Sequence, residues 1–369
     1  MKFTVNTRDI TDAVGSAAKI IKGNTVLAII QNVLIEAKDG IVKVRATDIS
    51  TTIERTFEAT VETEGQIAVN GRLLAAYLAG TKAATIDIAL EGHELTIRAG
   101  NASVAFPTMP ANEFPGIPEE TIGESLRLNG RSLRSAIQAT GFAASTEEAR
   151  GASLQGTLLR SSEQGTVLVC TDGYRLATQT DHTEQEMIGE FIVPTGALAE
   201  AARNSGDADL VEITILGERQ NQMRLTAGRT TIYVQLIDGA YPKFEAVMPK
   251  EPNRTVTFKT VDMLDSLKRT SLVAGDLASM ILLDVGGEGI RVSAASDVSG
   301  RAEELIEATL VGEPLSIRLN SRYLKDILNH ITADTTVFEL TGEMVAVIIR
   351  PETQKEGIDQ KYILMPLRN

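Results

Sequence analysis

The chain has 369 residues, is 43% hydrophobic and carries a net charge of −13. That length allows roughly two or three domains of about 100–200 residues, each with its own core. A single cysteine, Cys170, excludes an internal disulfide, no apolar run reaches signal or membrane-span length, and the reading is a cytoplasmic protein whose acidity argues at first sight against nucleic acid.

In chain order, residues 3–5 read as a short strand. Thr7 reads as the N-cap of a helix in which Ile10, Ala13, Val14, Ala17, Ala18 and Ile21 recur at helical spacing. Strands follow at 32–36 and 41–45 around Lys38-Asp39-Gly40, then a strand at 66–69 and a helix at 72–78 stopped by Gly80. Strands at 85–90, 94–98 and 103–106 complete the first third. Pro107, Pro110, Pro115 and Pro118 mark a linker running to Glu124. The pattern restarts at 126–129, with helices at 131–142 and 196–203 and strands around 156–160, 166–170, 191–193, 211–216, 222–226 and 231–237. A second linker spans 249–254. The last third has helices at 261–273 and 322–331 among strands at 256–258, 281–285, 289–292, 315–319, 336–340, 344–349 and 362–366.

One stretch organises this pattern: Thr171-Asp172-Gly173-Tyr174-Arg175-Leu176-Ala177, after the apolar Val167-Leu168-Val169-Cys170. It reads as strand, tight turn, strand, with Asp-Gly supplying the positive φ of a two-residue hairpin. Ala46-Thr47-Asp48 and Ala295-Ser296-Asp297 also follow apolar strands, and the three aspartates are 124 and 125 residues apart. The second helices align too: Asn70-Gly71-Arg72, Pro194-Thr195-Gly196 and Asn320-Ser321-Arg322. The period is too long for a solenoid and suits three whole domains, at 1–121, 122–248 and 249–369.

Little points to catalysis. His93, His182 and His330 fall one per third, without metal-ligand spacing. No phosphate loop ending in Gly-Lys-Ser/Thr occurs, and Gly286-Gly287-Glu288-Gly289, between two strands, reads as a hairpin turn. Asp48, Asp172 and Asp297 read as turn caps, since equivalent positions in three domains cannot share a metal.

The opening Met1-Lys2-Phe3-Thr4-Val5, Phe114-Pro115, the 171–177 motif, Tyr241-Pro242 and the ending Tyr362-Ile363-Leu364-Met365-Pro366-Leu367-Arg368 occur in order over the whole chain. As a set they resemble the bacterial DNA polymerase III β subunit, the replicative sliding clamp. The resemblance implies an α+β fold of three tandem DNA-clamp domains, each with two helices on an inner face and antiparallel sheets outside. Two chains would close head-to-tail into a ring around duplex DNA. It implies a non-catalytic processivity subunit with no cofactor and no metal. Partners would be the DNA polymerase III alpha subunit, the clamp loader, and other polymerases and repair proteins that dock through linear peptides. The alternative is a clamp paralogue serving as an accessory DNA-repair or plasmid-replication binding protein.

The ring answers the charge objection. Arg8, Lys19, Lys22, Arg72, Lys82, Arg131, Arg134, Arg203, Lys268, Arg269, Arg322 and Lys325 lie on or beside the helices and would face phosphates, with the acidic excess outside. Asn24 stands where the family shows a DNA-facing arginine. The family's peptide pocket maps onto Leu154, Thr171, Gly173, Tyr174, Arg175, Leu176, Pro242, Val247, Met344, Ala346, Ile363, Met365, Pro366, Leu367 and Arg368, with Ala246 in place of a rim arginine. The family's dimer seam maps onto Arg98 and Val104 of one chain and Leu272, Val273, Glu303, Glu304 and Glu307 of the other.

Overall fold

A computed structural model describes the chain except residues 22–26, 118–124, 186–187, 207–208, 217–220, 275–278 and 369. Lys22, assigned above to DNA contact, and Asn24, which stands where the family shows a DNA-facing arginine, lie outside the described residues. The described α-helices are α1 (Thr7–Ala18), α2 (Gly71–Gly80), α3 (Gly130–Thr140), α4 (Thr195–Asn204), α5 (Thr260–Thr270) and α6 (Ser321–Asn329). Each directly follows a strand, and four begin behind an asparagine. Asn6, Asn70, Asn129 and Asn320 accept backbone N–H bonds from Arg8, Leu73, Arg131 and Arg322 at 2.9–3.0 Å. Those N–H groups have no partner within the helix, so the amide oxygen fixes where each helix starts. The cap of α1 is therefore Asn6, and Thr7 is its first residue. The expected helices at 131–142 and 261–273 end at Thr140 and Thr270, and their last residues tighten into 3-10 turns at Gly141–Ala143 and Ser271–Val273.

The chain forms two compact units, and its middle third contributes to both. The first comprises 1–133 and 196–236. One thirteen-stranded sheet runs through it. At its centre strand Thr230–Gln235 pairs antiparallel with Thr51–Glu58, placing Ile232 opposite Ile53 and Val234 opposite Thr51. Its core packs Ile10, Val14 and Ala17 of α1 and Leu74 and Leu78 of α2 against Phe3, Ile35, Ile88 and Leu95 of the sheet. The second unit comprises 134–195 and 237–369. It holds a nine-stranded sheet, in which Arg175–Asp181 pairs antiparallel with Ile358–Leu364, and a four-stranded sheet. Met263 and Leu267 of α5 and Leu324, Ile327 and Leu328 of α6 fill its largest core. Gly286 and Gly289 pair across a hairpin, as read from the sequence.

The strands that sequence periodicity misses are Thr51–Glu58, Thr60–Thr63, Gly300–Ile306 and Ala308–Val311. They are rich in Thr, Glu and Arg and lack a clean apolar alternation, so neighbouring ladders rather than periodicity define them.

The first two Asp turns share one wiring. Thr171 Oγ donates to the Arg175 carbonyl at 2.6 Å and accepts from Gly173 N–H at 3.0 Å. Asp172 Oδ1 accepts from the N–H groups of Tyr174 and Arg175 at 2.9 and 3.0 Å. Thr47 and Asp48 repeat this, with Thr47 Oγ donating to the Thr51 carbonyl at 3.1 Å and Asp48 accepting from Thr51 N–H at 2.8 Å. In the third turn Ser296 Oγ accepts from Val298 and Ser299 N–H at 3.2 and 3.0 Å. The central turn residues are thus Gly173 and Tyr174. Asp172 stands one place before the bend and acts through its carboxylate, which corrects the Asp-Gly hairpin expected from sequence.

Gly173 has φ 89°, and its counterpart in the first turn, Ile49, has φ 78° with its side chain 65% exposed. A β-branched residue there carries left-handed strain that burial does not offset. Replacing Ile49 with glycine should raise stability by about 0.5–1 kcal/mol, and Gly173→Ile should lower it by about 1–2 kcal/mol. Urea unfolding midpoints measure both; a lower midpoint for Ile49→Gly would refute the strain.

Candidate functional site

The second unit carries a buried apolar cluster, the floor, beside exposed apolar side chains, and the two together are termed the groove. Leu158, Val169, Leu176, Ile192, Tyr241, Phe244, Ala346, Ile348 and Ile363 build the floor, with Ile237 and Met248 alongside. The pairing of Leu176 with Ile363 brings the Asp172 turn and the final strand together. Beyond that strand, Met365 N–H donates to the Tyr174 carbonyl at 3.0 Å and Leu367 N–H to the Arg318 carbonyl at 2.9 Å. These backbone bonds hold the terminal segment beside the turn. Tyr174, Val247, Met344 and Met365 remain 40–56% exposed. Unbranched methionines and an amphipathic tyrosine suit an adaptable apolar contact surface.

Of the residues assigned to the pocket, Leu176, Ala346 and Ile363 form floor, and Thr171 and Gly173 build the turn. Pro242 and Arg368 are exposed, and Pro366 and Leu367 half-buried. Leu154 is half-buried in a 3-10 turn, its carbonyl accepting from Ser145 N–H at 2.8 Å. Ala246 is exposed in the 3-10 turn Phe244–Val247. A cation near that turn is Arg160, which lies 5.0 Å over the Phe244 ring and bonds Glu190 at 2.8 Å and Glu245. Burial alone would raise the Glu245 carboxyl, but bonds from Arg160 hold it below the usual range.

Arg175 turns away from the apolar floor. It donates to Asp172 Oδ2 at 3.1 Å, Asp326 Oδ2 at 2.6 Å and the Phe142 carbonyl at 3.1 Å. It also lies over the rings of Tyr323 and Phe142, at 4.7 and 5.2 Å. Tyr174 stacks on Tyr323 at 6.1 Å, and Arg150 covers Tyr174 at 4.5 Å while donating to the Asp172 carbonyl at 2.9 Å. Phe142 stacks on His330 at 4.0 Å. Arg150, Phe142, Tyr323 and Asp326 were not singled out from sequence. Tyr323 had a usable signal, three places after the helix-capping Asn320; the others had none.

The described cations assigned to DNA sit on or next to the helices, and Arg72, Lys82, Arg131, Arg203, Lys268 and Arg322 are exposed. Many are already engaged. Lys19 lies 3.6 Å from Glu200, which also pairs with Arg203. Arg72 donates to the Ile21 carbonyl at 2.6 Å, Lys268 to Asp265 at 2.8 Å, and Arg269 to both oxygens of Glu304 at 2.7 Å. The Arg269 bond pulls Glu304 below the usual carboxylate range. Arg134 and Lys325 are half-buried.

The seam candidates lie on or beside strands and in a turn. Leu272 is 78% exposed and Val273 half-buried in the 3-10 turn after α5. Glu303 and Glu304 lie on Gly300–Ile306, an outer strand of the four-stranded sheet, with Glu303 paired to Arg291 at 2.5 Å; Glu307 follows. In the first unit, Val104 is half-buried on strand Ala102–Met109, and Arg98 pairs with Glu91 at 2.8 Å. Among the described residues, no three His, Cys, Asp or Glu side chains converge as a metal site, and no helix is long and apolar enough to cross a membrane.

Comparisons with known proteins fit this geometry. Three family models match in succession: the N-terminal, central and C-terminal domains of the DNA polymerase III beta subunit, over residues 1–118, 127–243 and 245–368. The beta sliding clamp of Pseudomonas putida is 27% identical over 372 residues, covering all of both chains. A DnaN sliding clamp from Bartonella birtlesii, solved bound to griselimycin, superposes with a TM-score of 0.93 at 26% identity, and one from Pseudomonas aeruginosa with 0.92 at 25%, each over 100% of both chains. Three repeats of two helices each, with sheets that run from one repeat into the next, define a sliding-clamp subunit. The chain belongs to the DNA polymerase III beta subunit family.

Cys170 is the penultimate residue of the strand leading into the groove turn, and its Sγ lies 3.1 Å from Thr157 Oγ. Burial holds its thiol up at about 11, against an ordinary 9.0. The folded state therefore binds this proton more tightly than the unfolded chain. Its contribution to stability is complete below pH 9 and is lost as pH rises from 9 to 11. A thiol reagent at neutral pH should leave native Cys170 unmodified and titrate it on unfolding. Rapid modification without unfolding would contradict this burial.

Proposed function

We propose that this chain is a processivity clamp: two copies close head-to-tail into a ring that encircles duplex DNA and tethers enzymes to it. It acts in the cytoplasm as a non-catalytic subunit, through three domains at about 1–121, 122–248 and 249–369. The observation that carries this reading is the groove: a buried apolar floor, an exposed methionine–tyrosine rim, and a backbone-fixed turn beside a backbone-fixed terminal segment. A short extended peptide with hydrophobic anchors matches such a surface, and a few buried anchors would dominate its affinity. The docking proteins would be the DNA polymerase III alpha subunit, the clamp loader, and other polymerases and repair proteins. Closure would pair strand Ala102–Met109 of one chain with Gly300–Ile306 of the other, and Leu272 and Val273 would be covered at that seam.

Encirclement predicts a topological signature. Protein loaded on nicked circular DNA should be retained through gel filtration and released when the circle is linearised. Equal retention on both forms would refute the ring. Docking has its own test. Leu176→Asp sets a charge into the floor at a desolvation cost of several kcal/mol, about what a micromolar peptide complex can lose before binding vanishes. Fluorescence anisotropy with a labelled Gln-x-x-Leu-x-Phe peptide should show that loss, with a melting curve verifying the fold. Undiminished affinity would place docking elsewhere.

A further inference from the structure

Lys19, just after α1, and Arg203, on α4, were both assigned to phosphate contact, yet in the first unit they converge on one carboxylate. Glu200 of α4 has a side chain only 8% exposed. Lys19 Nζ lies 3.6 Å from its Oε1, Arg203 Nη1 bonds its Oε2, and Asn204 Nδ2 donates to Oε1 at 2.8 Å. Behind this stands Arg55, bonded to Asn204 Oδ1 and 3.3 Å from Ser16 Oγ of α1. Asp9 and Asp12 of α1 also act on Arg55 electrostatically. Cations and carboxylates therefore interleave here, for Arg229 also acts on Arg55 and Arg8 lies 3.9 Å from Asp12. An exposed ion pair opens readily to water. A buried carboxylate cannot, because separating it from its partners leaves it uncompensated. Lys19 and Arg203 keep half-exposed side chains, at 50% and 55%, but their charge is spent inward.

We propose that Glu200 is a charge governor for the DNA-facing surface. By holding Lys19 and Arg203 in persistent pairs, it lowers the net positive field that this surface presents to phosphates, keeping affinity for the backbone weak enough for the protein to move along DNA. This rests on the clamp reading. The paired cations of α5, Lys268 with Asp265 and Arg269 with Glu304, follow the same logic at more exposed positions.

Glu200→Gln tests it, because the amide keeps the shape and can still accept from Asn204. Binding of the full-length protein to a fluorescein-labelled linear duplex is measured by anisotropy across a potassium chloride titration. Releasing two cations should steepen the slope of log K against log salt by about 1–2, the contribution of two phosphate contacts. Glu163→Gln, on an exposed hairpin turn, removes the same charge and controls for net charge alone. Should Glu200→Gln fail to fold, Lys19→Gln with Arg203→Gln decides the matter. The double variant should flatten the slope by well under half of the roughly 1.8 expected for two engaged cations. A Glu200→Gln slope matching that of the original protein or of Glu163→Gln overturns the proposal. So does a loss of about 1.8 in the double variant. Retention on nicked circles together with an unchanged slope would overturn the governor and leave the ring standing. A steeper slope without such retention would support the governor and overturn the ring.

Discussion

The structure depends on two backbone ladders that carry sheets from one repeat into the next. In the first unit Thr51–Glu58 is zipped to Thr230–Gln235; in the second Arg175–Asp181 is zipped to Ile358–Leu364. The register is the same in both. Thr51 faces Val234 where Arg175 faces Leu364, and the next N–H bonds run from Gln235 to Ser50 and from Met365 to Tyr174. Each strand entering a ladder emerges from an Asp turn, so one hydrogen-bonded bend sets both the pairing and the surface beside it.

The two junctions diverge in what they enclose. In the second unit the ladder flanks Val169, Leu176 and Ile363, which pack into an apolar floor. In the first unit Arg45 and Glu54, on adjacent strands, form a 2.6 Å pair with both side chains largely buried, and Thr52 takes the place that Leu176 holds. The associated apolar cluster shrinks to Leu34, Ala68 and Phe114 with three half-buried neighbours. A peptide's leucine would meet a desolvated ion pair there, an unfavourable partner for an apolar anchor. The same backbone thus builds a groove in one unit and a sealed polar seam in the other.

Helices and repeats were legible in the sequence because their signals are local. Local pattern, apolar spacing at the first, placed all six described α-helices, and the repeated Asp exposed the period. The caps were legible in principle at Asn6, Asn70, Asn129 and Asn320, but Thr7 drew the reading at the first. The polar strands Thr51–Glu58 and Gly300–Ile306 were not legible, since neither shows a clean apolar alternation; the first is held in part by the distant Thr230–Gln235, the second by its hairpin neighbour Gly289–Ser296. Of the floor cluster, the resemblance named Leu176, Ala346 and Ile363; Leu158, Val169, Ile192, Phe244 and Ile348 were not assigned to the pocket. Its buttress of Arg150, Phe142, Tyr323 and Asp326 was not legible, because it assembles from three separate segments around Arg175. Lys19 and Arg203 show the same limit: charge is visible in sequence, and its compensation by Glu200 is not.

The ladders also bear on how far such a sequence can drift. Main-chain hydrogen bonds ask little of side-chain identity, so a junction built from them tolerates substitution that an interlocked side-chain interface would not. Around three-quarters of positions differ from the Pseudomonas aeruginosa clamp, yet the superposition holds at a TM-score of 0.92. The demanding positions reduce to a short alphabet: an amide before a helix, a hydroxyl and a carboxylate at a bend. A lineage that keeps those few letters is free to rewrite its surface, and with it the set of molecules it serves.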